Sequence, residues 1–176
     1  VVGAHLRVAV ALRTAGQQRL RGEHAGLQRL ADAFAGERIG AAGRLAPAAK
    51  LQVLHPGVDL EAFRPSPSTE KTFFLPGRIM WTKNLELAIQ AFQLFKETTP
   101  EPSTWKLVIA GIVDRKSRPY LDRLRSLASG DPSVEFRVHP SDEEMRALYA
   151  ACFATLFTAF NEDWGLVLIE AMASGK

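Results

Sequence analysis

From Lys50 onward the sequence alternates short apolar runs with amphipathic stretches, and this alternation constrains the fold more than any other feature. Apolar runs that end at turn residues such as Pro76 and Gly77 predict β-strands, whereas apolar residues at spacings of three and four predict helices. The predicted strands are residues 51–54, 72–75, 105–110, 134–138 and 153–157, and the predicted helices are residues 84–97, 119–128, 142–151 and 165–173.

The order of these elements predicts the fold class. Strands that alternate with helices pair in parallel through right-handed crossovers. We therefore predict an α/β fold with a doubly wound, Rossmann-like parallel sheet. Because such sheets bind ligands at the carboxyl ends of their strands, the candidate functional residues are those that directly follow each strand.

The chain divides into two regions of different composition. Residues 1–47 form a basic segment rich in Ala, Arg and Gly, which we interpret as an interdomain remnant, and the alternating pattern places a domain at residues 48–176. Residues 1–50 hold eight Lys/Arg against three Asp/Glu, whereas the remainder holds fourteen against sixteen. Any attraction to phosphate or to an anionic membrane surface is therefore expected at the amino-terminal end.

Composition also limits the classes of protein to consider. The arginines at positions 7, 13, 19, 21 and 29 lack interleaved aromatic residues, so a solvated surface is favoured over contact with phosphate or an anionic membrane, and no nucleic-acid partner is expected. The single cysteine, Cys152, lies in an apolar run, which predicts a buried thiol without a disulfide or metal role. No run approaches the roughly 18 apolar residues of a membrane helix, and residues 1–11 lack a signal-peptide pattern. We expect a cytoplasmic protein, with peripheral contact at the inner membrane face as the alternative.

Two cations follow the predicted strand 72–75. Gly77 provides a turn before Arg78, and Lys83 comes five positions later, near the start of a helix. A guanidinium fork contacts phosphate oxygens in pairs and an ammonium group adds a compact charge, so the two side chains together can neutralise a diphosphate. Two ordinary exposed basic residues in a loop are the alternative interpretation.

Two glutamates, separated by seven residues, bracket the start of the last predicted helix. Glu162 precedes this helix and Glu170 lies within it. At the helix amino end, Gly165 leaves room for phosphate to approach unpaired backbone N–H groups and the positive end of the helix dipole. Carboxylates accept hydrogen bonds from sugar and ribose hydroxyls. A capping role for Glu162 and an edge position for Glu170 are the alternative.

The segment with Arg78 and Lys83 and the segment with Glu162 and Glu170 together predict one shared binding site, which neither predicts alone. Both follow strands of a parallel sheet, so their side chains are expected to converge on one sheet edge. Cations, a helix dipole and carboxylates match the diphosphate, the anomeric leaving group and the hydroxyls of one ligand. The residues therefore predict a nucleotide-sugar site.

In the same motifs the sequence resembles the retaining glycosyltransferases of the glycosyltransferase-B fold, of the family 4 type within group 1. The resemblance covers about residues 46–176 and identifies this part as a C-terminal, donor-binding domain. It rests on His55-Pro56-Gly57-Val58-Asp59 with Phe63, Gly77-Arg78 with Lys83, Leu107-Val108-Ile109-Ala110-Gly111, Leu148-Tyr149, and the segment from Glu162 to Gly175.

The resemblance implies functional roles for the candidate site residues. Arg78, Lys83 and Glu162 become the catalytic residues, with both cations on the donor diphosphate and the glutamate on the transferred sugar. Backbone amides at Gly165 and Leu166 line the phosphate site. The full donor-binding set is Gly77, Arg78, Lys83, His139, Glu162, Gly165, Leu166 and Glu170, in which Glu170 binds ribose and His139 lies in the segment that brackets the nucleobase.

The resemblance also implies a reaction. The parent enzyme transfers a hexose from a nucleotide-diphosphate sugar to a lipid or saccharide acceptor with retention of configuration and without a bound metal or other cofactor. The motif around Glu162 favours mannose. Because the chain ends at Lys176 and lacks a recognisable acceptor domain, we expect a truncated domain, incomplete at its C-terminus, without transferase activity of its own. A non-enzymatic nucleotide-binding fragment or gene remnant, and a phosphorylase or epimerase on the same fold, are the alternatives.

Overall fold

The computed structural model describes residues 57–67, 69–160, 162 and 165–176. The basic segment 1–47 and the predicted strand 51–54 lie outside the described residues, as do His55 and Pro56 of the first motif. Strands and helices alternate along the chain as predicted. They are β1 Thr72–Pro76, α1 Leu85–Thr98, β2 Lys106–Gly111, α2 Arg118–Leu127, β3 Val134–Val138, α3 Asp142–Ala151, β4 Ala154–Thr155 and α4 Leu166–Ala173, with 3-10 turns at Trp81–Lys83, Pro102–Thr104 and Arg115–Ser117.

The four strands form one parallel sheet in the order β3-β2-β1-β4. The fold is therefore α/β with a Rossmann-like parallel sheet, as the alternation predicts. Strand β4 is shorter than the predicted 153–157, with pairs to β1 only at Phe73↔Ala154 and Phe74↔Thr155. After Leu156, whose N–H still donates to the carbonyl of Phe74, the chain leaves β1 and bonds to the loop that follows it.

Helices pack on both faces of the sheet, because alternate residues of the buried strands point to opposite sides. On one face, Leu75 and Ile109 pack with apolar residues of α1 and α2. On the other, Phe74 and Val108 pack with residues from α3 and α4. This arrangement is the doubly wound one that the sequence predicts. None of the helices in the described ranges is long and apolar enough to span a membrane.

Cys152 lies at the end of α3 in the second of these cores. It is a free, buried thiol, and burial raises its pKa above the usual range. Its predicted burial is thereby confirmed, and a protonated, enclosed thiol is a poor nucleophile and metal ligand.

Candidate functional site

Two loops meet at the carboxyl edge of the sheet because β1 and β4 are neighbouring strands. The loop after β1 and the loop after β4 are joined by two hydrogen bonds. The hydroxyl of Thr158 donates to the carbonyl of Lys83 at 2.8 Å, and the N–H of Phe160 donates to the carbonyl of Thr82 at 3.0 Å. Both acceptors are backbone atoms, so the connection fixes the path of the chain on either side of Lys83.

Lys83 and Glu162 form an ion pair at this junction. The ammonium group of Lys83 donates to Oε2 of Glu162 across 79 positions of sequence. The two side chains are 22% and 27% exposed, so the pair is partly shielded from water and still open to a ligand. The structure therefore brings together two of the predicted site residues, one from each segment.

The turn that carries Lys83 is held from both ends. Asn84 follows it with φ of 50°, a left-handed conformation that asparagine tolerates better than most residues, and its N–H closes the turn on the carbonyl of Trp81 at 3.0 Å. Asn84 supplies no side-chain cap to α1. Instead, the hydroxyl of Tyr120 accepts from the N–H of Leu85 at 3.1 Å and donates to Glu86. A tertiary contact thus caps the helix beside the site.

Gly77 and Arg78 lie at the same edge, directly after β1. Gly77 has φ of +129°, which side chains rarely adopt, and its carbonyl oxygen occupies the space that a Cβ on Gly111 would need. The ends of β1 and β2 therefore require glycine at both positions. Arg78 is exposed, and its guanidinium makes no hydrogen bond or ion pair within the described ranges. It does not join the pair of Lys83 and Glu162.

Helix α4 begins beside this pair. Gly165 is its N-cap residue, with φ of 73°, and a Cβ there would lie 3.8 Å from Cγ of Glu162. The first N–H groups of a helix have no partner within the helix, so the start of α4 offers donors to an anion. Leu166 is partly exposed at this point. Asn161, Asp163 and Trp164 lie outside the described residues.

Glu170 lies one turn further along α4. It accepts a hydrogen bond from Tyr149, a residue for which the sequence predicted no role. The hydroxyl of Tyr149 on α3 donates to Oε2 of Glu170 at 2.6 Å. A tyrosine in an otherwise apolar helix face usually finds a partner when buried. That rule is the signal that could have drawn attention to Tyr149, although it does not name the partner.

His139 lies at the opposite end of the carboxyl edge, directly after β3. It is exposed, has φ of 55°, and donates its N–H to the carbonyl of Gly111 at 3.0 Å. A left-handed backbone is disfavoured for residues that carry a Cβ, so His139 holds an uncommon conformation at this position. Because β3 and β4 are the outer strands of the sheet, His139 and Glu162 lie at opposite ends of its carboxyl edge.

A small cleft lies between the end of β1, the loop after β4 and the start of α4. Its lining is mostly apolar, and its polar residues are Lys83 and Thr158. The lining residues are Leu75, Pro76, Lys83, Leu85, Leu156, Phe157, Thr158, Ala159 and Val167. Among the residues that the structure describes, no group of three His, Cys, Asp or Glu side chains is placed to hold a metal ion.

The edge thus combines an ammonium, a free guanidinium, helix N–H groups and two carboxylates, which suit an anionic ligand that also carries hydroxyls. Comparison with known proteins agrees with this class. The family described as "Glycosyl transferases group 1" matches residues 59–176. The chain belongs to this glycosyltransferase family.

Individual relatives share the same region. The chain is 29% identical over 147 residues to the D-inositol 3-phosphate glycosyltransferase of a Nocardioides species, a match that covers 72% of this chain and 32% of the relative. It is 29% identical over 136 residues to the GDP-Man:Man(3)GlcNAc(2)-PP-Dol alpha-1,2-mannosyltransferase of Mus musculus, covering 70% and 27%. The chain therefore spans about a third or less of the length of these relatives.

Solved structures show the same fold. The C-terminal domain of a glycosyl transferase group 1 family protein (LpcC) from Francisella tularensis matches with a TM-score of 0.58 at 23% identity, over 67% of each chain. The pneumococcal O-GlcNAc transferase GtfA, solved with UDP and GlcNAc, matches with a TM-score of 0.54 at 19% identity, over 70% of this chain and 23% of that one. The predicted glycosyltransferase-B architecture is confirmed at the level of the fold.

Proposed function

We propose that this chain is the donor-binding half of a retaining glycosyltransferase that transfers a hexose from a nucleotide-diphosphate sugar to a lipid or saccharide acceptor. The pairing of Lys83 with Glu162 carries the proposal, because it brings a cation and a carboxylate from separate segments to the carboxyl edge of a parallel sheet. The alternative of two unrelated surface charges does not account for a partly shielded pair at this edge.

The roles follow from charge and position. When the bond between the anomeric carbon and the diphosphate breaks, negative charge grows on the leaving oxygens. The ammonium of Lys83, the unpaired guanidinium of Arg78 and the N–H groups at Gly165 and Leu166 stabilise that charge without a metal ion. Glu162 accepts from hydroxyls of the transferred sugar, and Glu170 from those of the ribose. The acceptor oxygen bonds to the anomeric carbon on the face that the diphosphate leaves. The electron pair of the broken bond departs with the diphosphate, and the proton of the acceptor hydroxyl passes to the leaving oxygen.

The particular donor is proposed from the relatives. Several have mannosyltransferase in their names, including the protein of Mus musculus and a GDP-mannose:cellobiosyl-diphosphopolyprenol alpha-mannosyltransferase of Xanthomonas oryzae pv. oryzae. We therefore propose mannose from GDP-mannose as the first donor to test. The same names point to polyprenol-linked saccharides as the acceptor class, which would place the reaction at a membrane surface.

Calorimetric titration with GDP-mannose, a UDP-sugar and an ADP-sugar tests the site. We expect one donor to bind, and Arg78→Ala and Glu170→Ala each to weaken it by roughly tenfold or more, as for a lost charge-assisted hydrogen bond. Arg125→Ala and Glu97→Ala are the matched controls, because they remove the same charges from the exposed faces of α2 and α1. Unchanged affinity in both site variants would refute the assignment.

Turnover tests the reaction. With a productive acceptor, NMR of the product should show the anomeric configuration of the donor, and a chelator should leave the rate unchanged. An inverted product would overturn the retaining mechanism, and loss of activity on chelation would overturn the proposal that cations of the chain replace a metal.

A further inference from the structure

The hydroxyl of Tyr149 is a polar group at the candidate site that the roles proposed above leave unused. It donates a hydrogen bond of 2.6 Å to Oε2 of Glu170, from α3 to α4. Tyr149 is only 1% exposed, whereas Glu170 is partly exposed. A buried donor therefore meets a carboxylate that a ligand can still reach.

The ring of Tyr149 is fixed by its neighbours. It makes edge-to-face contacts with Phe63 and Phe74, at centroid distances of 5.5 and 5.0 Å. Phe74 is a fully buried residue of β1, so the tyrosine is anchored to the sheet itself. Burial, followed by the hydrogen bond to Glu170, raises the pKa of Tyr149, and the hydroxyl keeps its proton at physiological pH.

The bond leaves half of the carboxylate available. Tyr149 occupies one oxygen of Glu170, and within the described residues no hydrogen bond is made to the other, Oε1. A carboxylate that is held through one oxygen presents the other in a defined direction. Fixing an acceptor before the ligand arrives lowers the entropic cost of binding.

We propose that Tyr149 is a positioning residue that orients Glu170 toward the 2′- and 3′-hydroxyls of the donor ribose. This inference rests on the proposed function, because it requires a nucleotide at this edge. Tyr149 itself does not touch the ligand. It acts as the outer partner of a binding carboxylate, in the way that second-layer hydrogen bonds orient metal ligands.

The test compares ribose with deoxyribose. Dissociation constants are measured by calorimetry for GDP, UDP and ADP and for their 2′-deoxy counterparts, with the wild-type protein and Tyr149→Phe. For the nucleotide that binds best, we expect a preference for the ribose form of about tenfold in the wild type, which is typical of one hydrogen bond to a charged group. In Tyr149→Phe this preference should fall to roughly twofold, through weaker binding of the ribose form. A purely structural tyrosine would weaken both forms equally, and an unchanged ratio would overturn the inference.

Three further variants distinguish loss of the ribose contact from loss of the positioning by Tyr149. Glu170→Ala should abolish the preference. Glu170→Asp shortens the carboxylate beyond reach of the fixed hydroxyl and leaves the ring packing intact, so it should lower the ratio as Tyr149→Phe does. Tyr120→Phe is the control for loss of a tyrosine–glutamate hydrogen bond outside the ribose contact. Because Tyr120 caps α1 next to Lys83, any loss of affinity in this variant should affect both forms alike and leave the wild-type ratio unchanged.

These outcomes distinguish the two proposals. If the wild type binds none of the nucleotides, the proposed function fails and the inference fails with it. If Glu170→Ala removes the preference while Tyr149→Phe and Glu170→Asp retain it, the ribose contact stands and the positioning role alone is overturned.

Discussion

A lysine–carboxylate pair lies at each end of the sheet, one at the amino ends of the strands (the amino edge) and one at the carboxyl ends (the carboxyl edge). The two pairs differ in how many hydrogen-bond partners their lysines have. At the amino edge, Lys96 donates to both oxygens of Asp131, at 3.0 and 2.9 Å, and to the hydroxyl of Ser133 at 2.9 Å. Asp131 also accepts from the N–H of Ser133 at 3.0 Å. At the carboxyl edge, Lys83 has a single side-chain acceptor, Glu162, among the described residues. The first pair is saturated, whereas the second retains donors for another partner.

The backbone φ angles also differ between the two edges. Among the described residues, the two non-glycine positions with positive φ, Asn84 and His139, lie at the carboxyl edge, whereas at the amino edge a positive φ falls on glycine, as at Gly130. The amino edge also packs aromatic rings, in which Phe73 stacks on Trp105 at 5.1 Å. We infer from this comparison that the amino edge stabilises the domain and that the carboxyl edge is the one to test for binding.

The largest effect is expected from Lys83→Ala. In a turnover assay of the parent enzyme, the rate should fall by about 10²–10³, as for loss of one group that stabilises transition-state charge. The free energy of unfolding should change by less than about 1 kcal/mol, because Glu162 is partly exposed and regains water. Full activity in this variant would remove the functional distinction between the edges.

Next in size is the effect of Gly111→Ala on stability. A Cβ at this position would collide with the carbonyl oxygen of Gly77, so the ends of β1 and β2 must separate. We expect a loss of about 3 kcal/mol in the free energy of unfolding, measured with urea. Gly57→Ala is the matched control, since no described atom lies within 4 Å of the position that a Cβ would take there, and it should change stability by less than about 0.5 kcal/mol. Equal stability of the two variants would contradict the close approach.

Lys96→Met should destabilise the protein by about 2 kcal/mol, because it removes the ammonium from both oxygens of Asp131, a partly buried carboxylate that is 19% exposed. Urea unfolding at neutral pH measures this loss, and donor affinity should be unchanged. Lys71→Met breaks an exposed pair with Glu101 and should cost less than about 1 kcal/mol. If Lys96→Met instead weakens donor binding, the division of roles between the edges is wrong.

The smallest expected effect is a pH dependence of the free energy of unfolding that comes from the pair of Lys96 with Asp131. Burial alone would raise the pKa of Asp131, but hydrogen bonds from Ser133 and Lys96 outweigh it and hold this pKa below the usual range. A carboxyl group with a lowered pKa stabilises the fold above its unfolded-state pKa of about 3.9, and this contribution disappears as the pH falls further. The stability advantage of wild type over Asp131→Asn should therefore shrink as the pH falls below 4 in urea titrations. A pH-independent difference would contradict this.

Local pattern was sufficient to predict most of the fold. The predicted helix 84–97 is Leu85–Thr98 in the structure, and the predicted strand 134–138 is Val134–Val138, because apolar periodicity and turn residues act over a few positions. The meeting of residues that follow strands at one edge also results from parallel pairing. Strand order does not come from local pattern, so the sequence could not show that β4 lies beside β1.

The connections within the site were the least predictable part. The cap that Tyr120 provides to α1 and the bond from Tyr149 to Glu170 join residues 35 and 21 positions apart. Such contacts depend on how two helices pack side by side on one face of the sheet, which no spacing in the sequence specifies. Neither Arg78 nor His139 acquires a side-chain contact within the described residues that tests its predicted role, so both remain predictions.

The two bonds that tie the loop after β1 to the loop after β4 have a consequence for how the family can diversify. One uses only main-chain atoms, and the other needs a side chain only at Thr158. The two hydrogen bonds that fix the backbone around Lys83 therefore do not depend on the side chains of Trp81 and Phe160. These two side chains are 67% and 62% exposed. Substitutions can therefore accumulate at these two positions without displacing the lysine.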